Sequence, residues 1–524
     1  MMVLGEQLNN PYSVANMQKA LETLSETRSD MSEDIEPNKL YVRFLPKDTA
    51  DLSTLDRLEL QLFDYPLDYD ILQEGDYYHD PSIPDSMPTW QYTTVDVDFD
   101  FPDIQYEILE ECYIPEYDDD EDTETRSAND NFMYALEVAA IDNAGLPEKY
   151  QVAPETRALG VGKKPSGKVT MENDCTGKYD PVKGIMVRCH YLVNISNATT
   201  DKNGHYEIGH KYVCKPHYAL VYKNIKDFTI WGNWSFVAAA QHSLGYHSKT
   251  GYDKEIDKEE EEWKWAVINN AAYDYYNMCY NEGILDPPSN LKIWCWPEAP
   301  SSSTPMLHHL KGTKTIDYTS LLITLFSSIS GDPSVGTSLA ALVRNGLTPD
   351  ITIGMDWPVN PGKPNEISVT PNSHYEYHYG IVWHELSHAS HFANVGEKVW
   401  APYINRIVLN YIKYSKEDPV YGFGDESGKG EEIIGLGESW AFANQRMIMY
   451  SKFGITYDAG DYYWFSTYIS EIGNLFSNSD GLSRKQIFDC MTKDVTSLLQ
   501  LKTKLKEKYP TYKNAIDKYL MYIK

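Results

Sequence analysis

The chain has 524 residues, 42% of them hydrophobic, which supports packed cores but is too long for one core, so roughly two to four domains are expected. Its 46 basic and 77 acidic residues give a formal net charge of −31, which makes nucleic acid and anionic membrane surfaces poor partners. No run reaches the roughly 20 apolar residues of a membrane span, and residues 1–4 lack the pattern of a signal peptide.

The seven cysteines show no C-x-x-C pair and no dense spacing, and their number is odd. This usage argues against a disulfide framework or a structural zinc ribbon and does not settle the compartment.

The first region, residues 1–160, is predicted to begin with an amphipathic helix over residues 10–27. Alternating apolar residues predict strands at 41–44, 58–63 and 94–101, with a short helix after the first. The acidic run at 118–125 is interpreted as a solvated loop. The segments DYPLDY (64–69) and EECYIP (110–115) resemble the N-terminal portion of exported lipoproteins of gut Bacteroidetes.

In the second region, residues 161–230, short strands are predicted, including segments 164–171 and 184–189. Residues 199–208 are predicted to form a hairpin, with Asn203-Gly204 as its turn. The order of glycines, acid and tyrosine resembles a carboxypeptidase regulatory-like (transthyretin-like) β-sandwich; the matching residues are Gly167, Gly184, Asp201, Gly204 and Tyr206. His205, His210 and His217 are interpreted here as strand or surface residues.

The third region, residues 231–524, begins with a glutamate-rich helix start at 255–262 and a helix to about residue 280. Strands are predicted at 291–296 and 349–355, and the second is a candidate edge for holding an extended substrate by backbone pairing. From about residue 400 onward helices are predicted at 399–416, 431–451, 462–476, 484–491 and 496–522.

Residues 384–388, HELSH, form an H-E-x-x-H motif, in which two histidines bind a metal and the glutamate handles protons. Ser373 and Glu376 predict a capping box before it, and Gly396 predicts the end of the helix. At about 100° per residue, His384, His388 and His391 fall within roughly 60° of one another on the helix. An apolar stripe on the other side is formed by Val382, Leu386, Ala389 and Ala393.

A third metal ligand is needed for a catalytic zinc site. The metzincin spacing fails, because His391 stands where a glycine is required and Asn394 where the histidine is required. The segment Gly437-Glu438-Ser439-Trp440-Ala441 resembles the third-ligand helix of gluzincin metallopeptidases, which makes Glu438 the candidate. Glu431 and Glu432 are rivals and are interpreted as solvated residues at a helix start.

This resemblance implies that His384, His388 and Glu438 bind Zn²⁺ and that Glu385 is the general base for a metal-activated water. One departure is Phe442, which stands where the thermolysin-like branch has an aspartate, so the residues that orient the ligands must come from elsewhere. The side chain that stabilises the oxyanion is not identified; the candidates are Tyr462, Tyr463 and Tyr468.

Together these patterns predict a multidomain α+β protein with an N-terminal α/β region, a small β-sandwich and a gluzincin-like catalytic region with a helical C-terminal lobe. The expected activity is zinc-dependent hydrolysis of a peptide or protein substrate. The alternatives are a non-catalytic surface-binding lipoprotein with a vestigial peptidase-like domain, and a zinc hydrolase acting on glycoproteins or cell-wall peptides. The resemblance implies an extracytoplasmic location, with any lipid anchor lying outside this chain; substrate sequence and oligomeric state stay open.

Overall fold

A computed structural model describes residues 1–25, 34–84, 87–117, 128–153, 164–232, 239–296, 302–310, 349–355, 374–414, 432–455 and 466–523. Helices and several β-sheets form two compact units, which confirms the multidomain α+β class. Unit 1 comprises Met1–Thr170, Pro181–Ile225 and Asn233–Ile256; unit 2 comprises Met171–Asp180, Lys226–Gly232 and Asp257–Lys524.

The first part of unit 1 mixes helices and short antiparallel sheets. In chain order its elements are β1 (Val3–Gln7), α1 (Val14–Ser25), β2 (Lys39–Leu45), α2 (Thr49–Arg57), β3 (Tyr69–Gln73), β4 (Gln91–Asp96), β5 (Gln105–Cys112) and α3 (Ala128–Ala144). Strand β1 pairs with β3, and β2 lies between β4 and β5. The sheet buries Val42 and Phe44 of β2 against Leu55 of α2, as the alternation of apolar residues along β2 requires.

The chain then forms a run of strands: β6 (Ser166–Asn173), β7 (Lys178–Pro181), β8 (Ile185–Tyr191), β9 (Asn194–Thr199), β10 (His205–Glu207), β11 (His217–Asn224), β12 (Phe228–Trp231), β13 (Gln241–Tyr246) and β14 (Lys254–Ile256). In unit 1, β8 lies between β9 and β11, β13 pairs with the other edge of β11, and β6 lies between β10 and β14. The boundary expected at residue 230 separates β13 and β14 from the strands with which they pair, and the three-domain division itself stays a prediction.

Unit 2 combines a small parallel sheet with helices. After β12 its elements are α4 (Glu261–Glu282), β15 (Leu291–Trp296), β16 (Ile351–Gly354), α5 (His374–Val395), α6 (Glu397–Tyr414), α7 (Glu432–Phe453), α8 (Ser466–Ser477), α9 (Arg484–Phe488), α10 (Leu498–Lys508) and α11 (Lys513–Tyr519). Strand β15 lies between β12 and β16, with Ile293 opposite Ile230 and Ile351. Helix α5 packs between α4 and α7.

The predicted helices agree with the structure better than the predicted strands do. The strand expected at 58–63 is wrong: α2 ends at Arg57, Glu59 adopts a positive φ of 56°, and only Phe63 forms a bridge, to Tyr92. The strand expected at 94–101 ends at Asp96, where a turn follows.

The hairpin expected at 199–208 is also wrong. Asp201 and Gly204 form the turn, with φ of 80° at Gly204, but β9 pairs with β8 and β10 pairs with β6. The single helix expected at 496–522 is divided into α10 and α11, because Pro510 cannot supply an N–H to continue α10. Among the described residues, no helix is long and apolar enough to cross a membrane.

Candidate metal centre

Helix α5 carries the H-E-x-x-H residues and is held by its buried face. Val382, Leu386 and Ala389 are fully buried as predicted, whereas Ala393 is half-buried. The Trp383 indole N–H donates to the Ala271 carbonyl of α4 at 3.0 Å, and the Tyr275 hydroxyl donates to Ser390 Oγ at 3.1 Å. These contacts fix the rotation of α5 about its axis.

The ends of α5 are partly as predicted. Gly396 follows its last residue with φ of 77°, and its N–H donates to the Phe392 carbonyl at 2.8 Å, which confirms the predicted stop. The proposed cap Ser373 lies outside the described residues. Glu376, in the first turn of α5, accepts from Cys175 Sγ at 2.7 Å, and the capping box stays a prediction.

Helix α7 brings Glu438 to the two histidines, as predicted. Glu438 Oε2 lies 3.3 Å from His384 Nε2, and Glu438 Oε1 lies 3.5 Å from His388 Nε2. The two Nε2 atoms are 3.2 Å apart. One ligand atom from each of the three residues lies within 4.8 Å of the others, and the three side chains form a group that could hold a metal ion.

The charges of this group favour a cation at its centre. For His384, burial lowers the imidazole pKa, but the hydrogen bond and negative charge of Glu438 raise it more, and the net shift is upward. For Glu438, burial raises the carboxyl pKa, but the charges and hydrogen bonds of His388 and His384 lower it well below its usual range. A buried carboxylate therefore faces two imidazole nitrogens, and a bound metal ion would satisfy all three donors at once.

The Glu385 carboxyl group is buried and is held by a residue that the motif did not indicate. The Thr304 hydroxyl lies 2.6 Å from Glu385 Oε2 and 3.0 Å from the Glu385 carbonyl oxygen. Burial raises the pKa of Glu385, and the neighbouring charges of His384 and His388 oppose that shift. A carboxyl group with a raised pKa in this position is suited to accept and return a proton.

Tyr403 is a second site residue that sequence reasoning missed. Its hydroxyl, on α6, donates to Glu438 Oε1 at 2.9 Å. A Cβ added at Gly437 would lie 3.0 Å from that hydroxyl, so the glycine before Glu438 makes room for Tyr403. Phe442 packs its ring edge-on against His384, at 4.3 Å between centroids. Tyr403 thus holds the Glu438 carboxylate in place, a support that the sequence left to another part of the chain because Phe442 stands where an aspartate was expected.

His391 does not join the other two histidines. It is buried beside Trp400, at 5.8 Å between ring centroids, and neither of its ring nitrogens has a hydrogen-bond partner in the described part of the chain. Burial lowers its pKa to about 3. The shared helical face predicted for three histidines therefore supplies only two of them to the metal group.

The remaining predictions concern the substrate edge, three other histidines, the rival metal ligands and the oxyanion candidates. Strand β16 has no open edge at Thr352, because its N–H and carbonyl pair with Ser303, so the substrate edge expected there is wrong. His210 contacts Asn194 and His217 contacts Glu74, whereas His205 is exposed. The rival ligands Glu431 and Glu432 and the oxyanion candidates Tyr462, Tyr463 and Tyr468 have side chains outside the described part of the structure.

Comparison of the chain with protein-family models, with curated proteins and with solved structures finds no match.

Proposed function

We propose that the chain is a zinc-dependent peptidase that hydrolyses peptide bonds at the group formed by His384, His388 and Glu438. The observation that carries this proposal is that Glu438, 50 positions after His388 in the sequence, meets both motif histidines in one buried cluster. In the described ion pairs Glu438 is paired with the two histidines and with no lysine or arginine. A bound metal cation would balance the charge of this buried carboxylate, which is a reason for the three side chains to meet.

Zinc is the metal that best suits two imidazoles and one carboxylate, the donor set of many zinc hydrolases. When bound, zinc would lower the pKa of a water molecule toward neutrality and polarise a substrate carbonyl. The protein's own part is to orient the three donors, with Tyr403 holding Glu438 through its hydroxyl.

Glu385 is the proposed proton carrier. Thr304 holds its Oε2 atom, which leaves Oε1 to take a proton from the attacking water and to return it to the nitrogen of the leaving amine. The raised pKa of the buried carboxyl brings it closer to neutrality, where both transfers are feasible.

The test is metal content and peptide cleavage for the wild-type chain and three Glu→Gln variants. Elemental analysis should give about one zinc per chain for the wild type and for Glu385→Gln, and much less for Glu438→Gln. Cleavage of a mixed peptide library, read by mass spectrometry, should be lost in both of these variants. Glu507→Gln, an exposed change of the same charge on α10, should behave as the wild type.

The results separate the possible functions. Zinc retained at full affinity in Glu438→Gln would show that another residue is the third ligand. One zinc per chain without any cleavage that depends on Glu385 would favour the non-catalytic binding protein. Absence of zinc from the wild type after reconstitution would end the peptidase proposal.

A further inference from the structure

Unit 1 contains a cavity of about 470 Å³ whose lining includes none of the residues of the candidate metal centre. Its wall is built from the sheet residues Tyr41, Arg43, Tyr92 and Glu110 and from the chain on either side of β3, which supplies Asp68 and Asp80. The volume is within the usual range of pockets for small organic ligands.

Tyrosine rings form much of this wall. Tyr41 and Tyr92 are buried, with ring centroids 6.3 Å apart, while Tyr69 and Tyr78 are half-buried. Aromatic faces attract cations that have been freed of part of their water, and organic cations gain most from such contacts.

Three carboxylates share the wall, those of Asp68, Asp80 and Glu110. None of them has an ion-pair partner among the residues that the structure describes. Arg43 does not neutralise them, because its Nε donates to Glu107 Oε2 at 2.8 Å and its guanidinium lies 4.0 Å over the Trp90 ring. The cavity therefore keeps an excess of negative charge.

The acidic groups are held in place without a counter-charge. Asp68 is 8% exposed, and its two oxygens accept from Gln7 Nε2 at 2.7 Å and from the Tyr41 hydroxyl at 3.0 Å. Burial raises the pKa of Glu110, Asn10 opposes the shift by donating a hydrogen bond, and the charge of Asp68 adds to it. A positively charged ligand would reduce the repulsion between these two carboxyl groups at the partly buried wall.

A bare metal ion fits this cavity poorly. Among the described residues these carboxylate oxygens do not gather closely enough to form a metal-binding group, and the space far exceeds that of one ion. Acid groups spread around tyrosine rings suit a cation that is itself an extended organic group.

We propose that the cavity bounded by Tyr41, Tyr92, Asp68, Asp80 and Glu110 binds an organic cation, namely a guanidinium or primary ammonium group on a peptide side chain or small amine. The cationic head lies between the carboxylates, and its alkyl stem lies against the tyrosine rings. A neutral ligand of the same shape gains the ring contacts but not the charge.

Ligand-observed NMR and calorimetry on the full chain test this with two pairs of matched probes. Nα-acetyl-arginine amide is compared with the uncharged Nα-acetyl-citrulline amide, and Nα-acetyl-lysine amide with Nα-acetyl-norleucine amide. At least one cation should bind roughly tenfold or more tightly than its neutral partner, as expected for a charged hydrogen bond in a partly buried site.

Asp80→Asn is the variant of choice, because asparagine keeps an oxygen to accept from Ser82, the residue that Asp80 Oδ1 contacts. It should weaken binding of the cation about tenfold and leave binding of the neutral probe unchanged. Asp103→Asn, an exposed change of the same charge outside the cavity, should keep the wild-type affinity.

Equal binding of cation and neutral partner, or equal loss in Asp80→Asn and Asp103→Asn, would overturn the proposal. Binding of neither cation would overturn it as well. Preference for a neutral saccharide such as cellobiose over both cations would show that the tyrosines serve sugar stacking instead.

Discussion

The Glu438 carboxylate is shared among three side chains, His384, His388 and Tyr403. The hydroxyl of Tyr403 contacts Oε1, the same oxygen that faces His388. His388, Glu438 and Tyr403 are buried and the His384 side chain is 12% exposed, so little water is present to replace a lost partner. The position of the carboxylate therefore depends in part on the Tyr403 hydroxyl.

Replacing Tyr403 with phenylalanine keeps the ring and removes the hydroxyl. We expect the affinity for zinc to fall by roughly 10- to 100-fold, the usual cost of losing a group that orients a metal ligand. Competition with a chromogenic chelator measures it. Tyr280→Phe, at a residue 81% exposed, is the matched control. An unchanged affinity in Tyr403→Phe would show that Glu438 needs no such support.

At the residue scale, the metal group could be predicted and its supporting residues could not. His384, His388 and Glu385 carry a local spacing, and Glu438 carries a short pattern that the helix preserves. Thr304 and Tyr403 reach the site only through tertiary packing, and Tyr403 is one of 41 tyrosines without a distinguishing neighbour pattern. The only local signal was Gly437, whose missing side chain leaves space for the phenol.

Glycines lie at two helix contacts in unit 2. A Cβ at Gly380 of α5 would lie 2.8 Å from Met449 Sδ of α7, and a Cβ at Gly437 of α7 would lie 3.0 Å from the Tyr403 hydroxyl of α6. Tyr403 has little freedom to move away, because its ring lies 4.6 Å from that of Trp400. The approach of α6 and α7 therefore requires a small residue at Gly437, whereas the flexible Met449 side chain can shift to admit a Cβ at Gly380.

Gly437→Ala tests this at the level of the element. Alanine favours a helix by about 1 kcal/mol over glycine, but overpacking costs about 1–3 kcal/mol, so we expect a net loss of stability and weaker zinc binding. Gly473→Ala, in α8 with no atom of the described residues within 4 Å of the added Cβ, should instead be more stable than the wild type. Chemical denaturation measures the free energy of unfolding of both variants. An increase in both would show that Gly437 is not required for the packing of α7 against Tyr403.

Helices were predicted more reliably than strands for a physical reason. A long helix offers many positions that support the same assignment, as in α4 and α7, each 22 residues long, whose predicted ends lie close to the observed ones. A strand pattern is short and says nothing of its partner, so the alternation at 58–63 was compatible with a turn after α2. For the same reason the sequence did not show that β9 pairs with β8 and β10 with β6, and not with each other.

At the scale of the molecule, the two units carry different buried charges. Unit 2 buries Glu438 with histidines, whereas unit 1 buries Glu137 with the hydroxyls of Tyr12, at 2.5 Å, and Tyr117. Burial raises the pKa of Glu137 to about 7, although the two hydrogen bonds oppose the shift. Stability of unit 1 is therefore linked to pH in a way that the metal group does not share.

The direction of that linkage is set by the raised pKa. Between the ordinary carboxyl pKa of 4.5 and about 7, folded Glu137 keeps a proton that the unfolded chain has released, so stability falls as pH rises through this window. The slope approaches about 1.4 kcal/mol per pH unit. Glu137→Gln cannot titrate and should lose this part of the dependence.

Unfolding of the wild type and Glu137→Gln in denaturant from pH 4 to 8 measures the effect. The stability difference between them should change in favour of the variant as pH rises, and Glu148→Gln, an exposed change, should follow the wild type. Parallel curves for the wild type and Glu137→Gln would show that Glu137 titrates normally.

None of the seven cysteines forms a disulfide, and six of them are buried, which leaves Cys175 as the exposed thiol. Its Sγ contacts Glu376 in the first turn of α5, the helix that carries His384 and His388. The natural chain thus offers one chemically addressable position for a thiol-directed fluorophore or spin label. A spectroscopic reporter attached there would sense the start of that helix without any cysteine having to be engineered in or out.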